Sequence, residues 1–304
     1  GLYNVSAEEI NEILDTAVAM KDILTRTVKK VPTLRGKTVI NLFYEPSTRT
    51  KFSFNLAAKR LSADVMSISK SSSSIAKGES LLDTAKTMEV MGADVVVIRH
   101  SAPGAAKFLA DNISASVLNA GDGAHAHPTQ ALLDIYSINE KLGEISGLKV
   151  LIVGDIAHSR VARSNIWGLN KLGAEVSVAG PQTLLPREIE KMGVKVYNNL
   201  DKALDEVDVV NILRIQMERQ ESGLFPSIRE YREIYGMNDE RLQRIGKKAV
   251  IMHPGPMNRG IEIESSVADS NQSVITEQVK NGVAIRMALL YLLAGREVDN
   301  ENLN

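Results

Sequence analysis

The tetrapeptide Ser47-Thr48-Arg49-Thr50 sets hydroxyls beside a guanidinium, just after a β-branched run ending at Phe43 and just before a helical stretch carrying Phe52, Phe54 and Leu56. A helix start offers backbone N–H groups without intrahelical partners and a partial positive charge, and an arginine can grip two oxygens at once. The composition therefore suits a phosphate dianion. The plainer alternative is a Ser/Thr cap followed by a solvated arginine. Lys77-Gly78-Glu79 closes a serine run (Ser71 to Ser74) and precedes another helix. Ser73 and Lys77 are candidate donors to the same anion, although a lysine in a polar loop is usually a solvated charge.

Arg99-His100 ends the buried-strand pattern Val95 to Ile98 with two donor side chains. Asn119 to Gly123 reads as a glycine-rich turn after a short strand, and His127-Pro128-Thr129-Gln130 opens the following helix, with Pro128 suited to the first helical position. His127 could be purely structural, yet the small residues around it permit close approach of a ligand. In the second half, Gly154-Asp155 ends a strand, and His158, Ser159 and Arg160 precede a helix. That segment lacks the G-x-G-x-x-G spacing and puts Arg160 where a pyrophosphate would need bare backbone, so a nicotinamide cofactor is disfavoured. Arg214-Ile215-Gln216, followed by Glu218 and Arg219, ends another apolar strand and points donors suited to carboxylates. His253-Pro254-Gly255-Pro256 follows a further strand, where prolines restrict the backbone and leave carbonyl oxygens able to accept bonds from an amine or amide. A plain rigid turn is the alternative there.

The elements that must position these groups alternate. After a first helix signalled by Ser6 and Glu9, with Ile10, Ile13, Leu14, Ala17 and Met20 at helical spacing, strands are expected at Thr38 to Phe43, Asp64 to Ser69, Val95 to Arg99 and Val117 to Asn119. A second series is expected at Lys149 to Val153, Glu175 to Ala179, Val194 to Tyr197, Val207 to Leu213 and Ala249 to Met252, and a long helix at about Ser273 to Leu293. Strands alternating with helices imply parallel sheets, and every cluster named above falls at a strand's carboxyl end, where such sheets collect their functional groups. The expected fold class is α/β, as two doubly wound parallel-sheet domains: 1–143, with the C-terminal helix about 284–304 packing back on it, and 144–283.

At 304 residues the chain suits two domains, and 44% hydrophobic with 24% charged residues is ordinary for a globular protein. A formal charge of −1 gives no global field toward nucleic acid or anionic lipid, so neither is expected as a partner. The chain has no cysteine, which removes disulfides and thiolate chemistry. No stretch approaches the roughly 18 apolar residues of a membrane span, and Gly1 to Ile10 lacks a signal-peptide core. No membrane association and a cytoplasmic location are expected.

Taken in order, S-T-R-T, K-G-E, R-H, H-P-T-Q, G-D…S-R, R-x-Q…E-R and H-P-x-P resemble the motifs of the aspartate/ornithine carbamoyltransferase family, over nearly the whole chain. The second half looks like the aspartate branch: the ornithine enzymes carry a cysteine in an H-C-L-P turn, whereas this chain has His253-Pro254. The resemblance implies an active site in the cleft between the domains and transfer of the carbamoyl group from carbamoyl phosphate to the amino group of L-aspartate, a step of de novo pyrimidine biosynthesis. Ornithine or another amine as acceptor, and a non-catalytic anion-binding protein on the same fold, are the competing readings.

By the same resemblance, Ser47, Thr48, Arg49, Thr50 and Arg99 hold the phosphate, with Ser73 and Lys77 reaching it from a neighbouring subunit. Thr50, Arg99 and His127 meet the carbonyl oxygen and are the catalytic residues, while Gln130 and the backbone of Gly255 and Pro256 take the carbamoyl NH2. Lys77, Arg160, Arg214 and Gln216 bind the aspartate carboxylates, and Glu45 pairs with Arg160 or Arg219 when the domains close. No cofactor and no metal are implied. The implied assembly is a homotrimer with shared active sites, compatible with separate regulatory or dihydroorotase chains. Direct attack by a neutral amine needs no covalent nucleophile, so the lack of cysteine is no obstacle.

Overall fold

The computed structural model describes residues 1–69, 78–215 and 227–294. The chain divides into two compact units, one of Gly1, Glu8–Thr129 and Lys280 onward, the other of Leu2–Ala7 and Gln130–Val279. In chain order the elements are α1 (Ala7–Thr25), β1 (Thr38–Phe43), α2 (Thr48–Arg60), β2 (Asp64–Ser69), α3 (Leu81–Val90), β3 (Val95–His100), α4 (Ala105–Ala110), β4 (Ser116–Asp122) and α5 (Pro128–Leu142). They continue with β5 (Lys149–Val153), α6 (Arg160–Lys171), β6 (Glu175–Ala179), β7 (Lys195–Tyr197), α7 (Leu200–Ala203), β8 (Val209–Ile212), α8 (Ile228–Tyr235), α9 (Asp239–Arg244), β9 (Val250–Met252), α10 (Ser265–Ala268) and α11 (Ile275–Ala294). Along the chain, α5 leads from the first unit into the second and α11 leads back.

The first unit is built on a parallel sheet in the order β2-β1-β3-β4, with Val39 opposite both Val65 and Val95. Val95, Val96, Val97 and Ile98 are all buried, as a strand covered on both faces requires. Ile40, Leu42, Val96 and Ile98 pack with Ala85 and Met88 of α3 and Ala105 and Leu109 of α4. Thr50, Phe54, Ala57 and Ala58 form the buried stripe of α2, at the spacing of one helix face. Arg286 of α11 holds that helix from within the same unit: its Nη1 donates to Ser53 Oγ at 2.9 Å and its guanidinium lies 5.1 Å from the centre of the Phe54 ring.

The second unit carries a parallel sheet in the order β7-β6-β5-β8-β9. Leu151, Val153, Val210, Ile212 and Ile251 form its core with Tyr231, Tyr235, Ile263 and Val267. The loops after β5 and β8 leave toward opposite edges, as those after β1 and β3 do in the first sheet. Each sheet thus has a topological switch point, where an open α/β sheet leaves room for a ligand beyond the strand ends.

Two strands differ from the sequence expectation by more than one residue at an end. β4 runs to Asp122 because, after an irregularity in register, Asp122 pairs with His100; the Ala-Gly-Asp sequence there has little strand propensity of its own. β8 is shorter, Val209–Ile212, since only that stretch pairs with β5 and β9. Among the described residues no helix is long and apolar enough to cross a membrane.

Candidate active site

The hydroxyl-arginine cluster is the start of α2. Ser47 is the N-cap residue, with extended backbone, and its side chain makes no capping bond, so the hydroxyl is not committed in the way the plainer reading supposed. Thr48 and Arg49 are exposed and Thr50 is buried. The first-turn N–H groups of this helix have no intrahelical acceptors. The segment follows directly on β1, whose carboxyl end is tied to that of β3 by the bond from Tyr44 N to Arg99 O at 2.9 Å.

Arg99, at the end of β3, is buried to 8% exposure and held on several sides. Its Nη1 donates to Ala120 O at 3.1 Å and lies 3.5 Å from His127 Nε2; its Nε lies 3.5 Å from Glu45 Oε2. A guanidinium only donates, so a neutral His127 facing it presents Nε2 as acceptor and carries its proton on Nδ1. Arg99 and His127, both expected at one site, therefore meet at the first switch point. Glu45 pairs with Arg99 here. Arg219, one of its expected partners, lies outside the described residues.

A carboxylate that the sequence reading passed over shapes this corner. Asp122 is 3% exposed and accepts from Asn119 Nδ2 (3.0 Å), Ala126 N (3.1 Å) and Gly104 N (2.8 Å), with His125 Nδ1 at 3.2 Å. It ties the loop between β4 and α5, which carries His127, to the loop after β3. Gly123 sits in this loop at φ +53°, where an added Cβ would lie 2.8 Å from Pro103 and from Ser101 O, so only glycine fits.

In the second unit, Arg160 is the first residue of α6 and is buried, at 6% exposure. Ser159 caps the helix by accepting from Ala162 N, while Asp155 accepts from His158 N at 3.1 Å and faces its Nδ1 at 2.9 Å. Arg214 is half-buried between the buried Leu213 and Ile215, just after β8. Arg160 and Arg214 thus flank the second switch point, following β5 and β8. Ser73, Lys77 and Gln216 lie outside the described residues.

Gln130, in the first turn of α5, donates from Nε2 to Asp134 Oδ1 at 2.9 Å. The same oxygen accepts from Gln278 Nε2 at 2.8 Å, and Asp134 Oδ2 accepts from Asn165 Nδ2 at 2.8 Å. Asp134 is fully buried, and that burial raises its carboxyl from the ordinary 3.8 to about 6 against the opposing pull of these amides. Gln278 Oε1 in turn accepts from His253 N at 3.0 Å. His253 is fixed further by Gly255 N, which donates to its Nδ1 at 2.8 Å, and by Glu262 Oε1, 3.2 Å from its Nε2. The turn bearing Gly255 and Pro256 is therefore pinned to the amide network around Asp134. Among the described residues, no group of three or more His, Asp or Glu side chains is placed to hold a metal ion.

Fold and site together define an α/β chain of two switch-point sheets whose strand ends carry arginine, histidine and hydroxyl side chains. Residues 1–140 match the family model described as the carbamoyl-phosphate-binding domain of aspartate/ornithine carbamoyltransferases, and residues 146–293 the one described as their aspartate/ornithine-binding domain. The chain is 79% identical over 303 residues to the aspartate carbamoyltransferase catalytic subunit of Halothermothrix orenii, covering 100% of this chain and 97% of that one. Solved structures that resemble it at TM-score 0.85 include an aspartate and an ornithine enzyme. One is aspartate transcarbamoylase from Trypanosoma cruzi in complex with carbamoyl phosphate and aspartate, 29% identical over 96% of this chain and 94% of that one. The other is ornithine carbamoyltransferase from Pyrococcus furiosus, 31% identical over 97% of this chain and 96% of that one. This chain belongs to the aspartate/ornithine carbamoyltransferase family.

Proposed function

We propose that this chain transfers the carbamoyl group of carbamoyl phosphate to the amino group of L-aspartate, giving N-carbamoyl-L-aspartate and phosphate, as in de novo pyrimidine biosynthesis. Equal structural likeness to an aspartate and an ornithine enzyme leaves the acceptor open on fold alone. The observation that carries the choice of aspartate is the 79% identity, along the whole chain, to an aspartate carbamoyltransferase catalytic subunit.

In this reading Ser47, Thr48, Arg49, Thr50 and Arg99 bind the phosphate, joined by Ser73 and Lys77 of a neighbouring subunit in a homotrimer. The exposed apolar side chains Phe52 (72%), Leu56 (39%) and Met66 (52%), on α2 and the edge strand β2, are of the kind a subunit interface covers and support that assembly. Gln130 and the backbone of Gly255 and Pro256 receive the carbamoyl NH2. Arg160, Arg214, Gln216 and Lys77 hold the aspartate carboxylates. Residues 1–143, with the C-terminal helix from about 284, form the carbamoyl phosphate domain and 144–283 the aspartate domain. The chain acts in the cytoplasm.

The amine lone pair attacks the carbamoyl carbon, and the C–N bond forms as the carbonyl π electrons move onto oxygen. Thr50, Arg99 and His127 donate to that oxygen as its charge grows, which supports the transition state more than the ground state. The C–O bond to phosphate then breaks with its electron pair, and the departing phosphate takes the amine proton. Fixed cations are needed because both substrates are anions that repel one another. Phosphate release from carbamoyl phosphate, measured with and without L-aspartate, tests the reading. Release that depends on aspartate is expected; turnover with ornithine and none with aspartate would reject it.

A further inference from the structure

Asp134 is a carboxylate on a stretch of α5 that is otherwise a core helix: Ala131, Leu132, Leu133, Ile135, Tyr136 and Ile138 around it are all buried. Its partners are neutral amides: Gln130, Gln278 and Asn165 each turn a nitrogen to it, at 2.8 to 2.9 Å, and Asn211 is a fourth. An ionised carboxyl buried among amides is costly, and a leucine of similar size would fill the same space, so packing does not account for an aspartate here.

What the carboxylate does is choose which end of each amide faces it. An ionised carboxylate only accepts, so each amide must approach nitrogen first. Gln278 satisfies this with its oxygen already engaged by His253 N at 3.0 Å. Gln130 satisfies it by committing Nε2 to Asp134, which puts its Oε1 on the side away from the carboxylate. Without Asp134 the two ends of that amide are nearly equal in shape, and a flipped Gln130 would present a donor instead of an acceptor.

We propose that Asp134 is a positioning residue that fixes the Gln130 amide with its oxygen as acceptor for the carbamoyl NH2, and so makes the chain prefer carbamoyl phosphate to an acyl phosphate with methyl in that place. The inference rests on the reading above that Gln130 meets the carbamoyl NH2. Its substrate class is narrow: small phosphoric anhydrides whose acyl group carries an N–H donor. Substitution at Asp134 then erodes selectivity between two ligands of one shape and charge, which a general loss of structure would not do.

The test is calorimetric titration of the purified full chain with carbamoyl phosphate and, separately, acetyl phosphate. The unsubstituted protein binds carbamoyl phosphate more tightly. Asp134→Leu weakens carbamoyl phosphate by about 3- to 10-fold, the range of one hydrogen bond, and leaves acetyl phosphate unchanged. If circular dichroism shows Asp134→Leu unfolded, Asp134→Ser is measured in its place by the same ratio. A chain that never discriminates between the two ligands defeats the reading of Gln130 itself. A chain that discriminates, but whose Asp134 variants weaken both ligands equally or neither, defeats the inference about Asp134 alone.

Discussion

The two units share an architecture, yet their switch points are made by different means. At the first, the groups come from short stretches: the start of α2, the end of β3 and the loop from Asn119 to His127, the last braced by neighbours a few residues away and, through Asp122, by Gly104 N just after β3. In the second unit, which supplies Arg160 and Arg214, an amide-carboxylate network draws on members remote in sequence; Gln278 reaches Asp134 from 144 residues away. Local loop chemistry can fix a cationic anion site, because backbone N–H groups and a buried arginine need few partners. Orienting neutral amides needs a buried charge, and that charge is tolerable only when several distant elements converge on it.

The sharpest way to break this contrast is to remove one arginine from each side. Arg99→Ala should lower kcat by about 100- to 1000-fold, as loss of one donor to a developing oxyanion does, and should weaken carbamoyl phosphate too. Arg214→Ala is expected to act differently, raising the aspartate KM by about 10- to 100-fold through loss of a charge-assisted pair while carbamoyl phosphate binding stays unchanged. Steady-state kinetics with each substrate varied in turn reads both. Equal effects of the two changes on both substrates would erase the division of labour.

That contrast also governs what could be read in advance. Ser47 to Thr50, Arg99, His127, Arg160 and Arg214 announce themselves because apolar strands stop abruptly at polar, donor-rich residues, and a parallel sheet puts all such stops at one end. Asp122 and Asp134 do not, since an aspartate in a loop or helix is ordinarily solvated, and the partners that bury these two lie in other segments. A signal for Asp134 did exist: a lone carboxylate within the run 131–138, apolar around nearly its whole circumference, must be buried and must therefore find donors. The tail of β4 was hidden for a different reason, its pairing being imposed by β3 and not by strand-forming residues.

A smaller effect probes the local bracing of the first site. Gly123→Ala forces a side chain into a left-handed backbone with φ +53° and within 2.8 Å of Pro103 and Ser101 O. A loss of about 1 to 3 kcal/mol in stability is expected, together with a fall in kcat as the His127 loop shifts. Denaturant unfolding and turnover on one sample check it. Unchanged stability would mean that this loop is less tightly determined than its bonds to Asp122 imply.

The smallest effect belongs to the long-range network and has a definite sign. Burial raises the Asp134 carboxyl from 3.8 to about 6, against the amides of Asn165, Gln278, Gln130 and Asn211, which pull it down. Between those two values the folded chain holds the proton more tightly than the unfolded chain, so the stability contributed by this group grows as pH falls from about 7 toward 4 and is lost again as pH rises through about 6. From about pH 7 to about pH 5 the gain for this group is about 1 kcal/mol. Asp134→Asn removes the titrating group, so the difference in unfolding free energy between the unsubstituted chain and the variant should move by that amount in favour of the unsubstituted chain over the same interval. Urea unfolding of both proteins at the two pH values measures the difference. Parallel stability profiles would place the proton elsewhere and would mean that the amides, not the loss of water, dominate the energetics of this carboxylate.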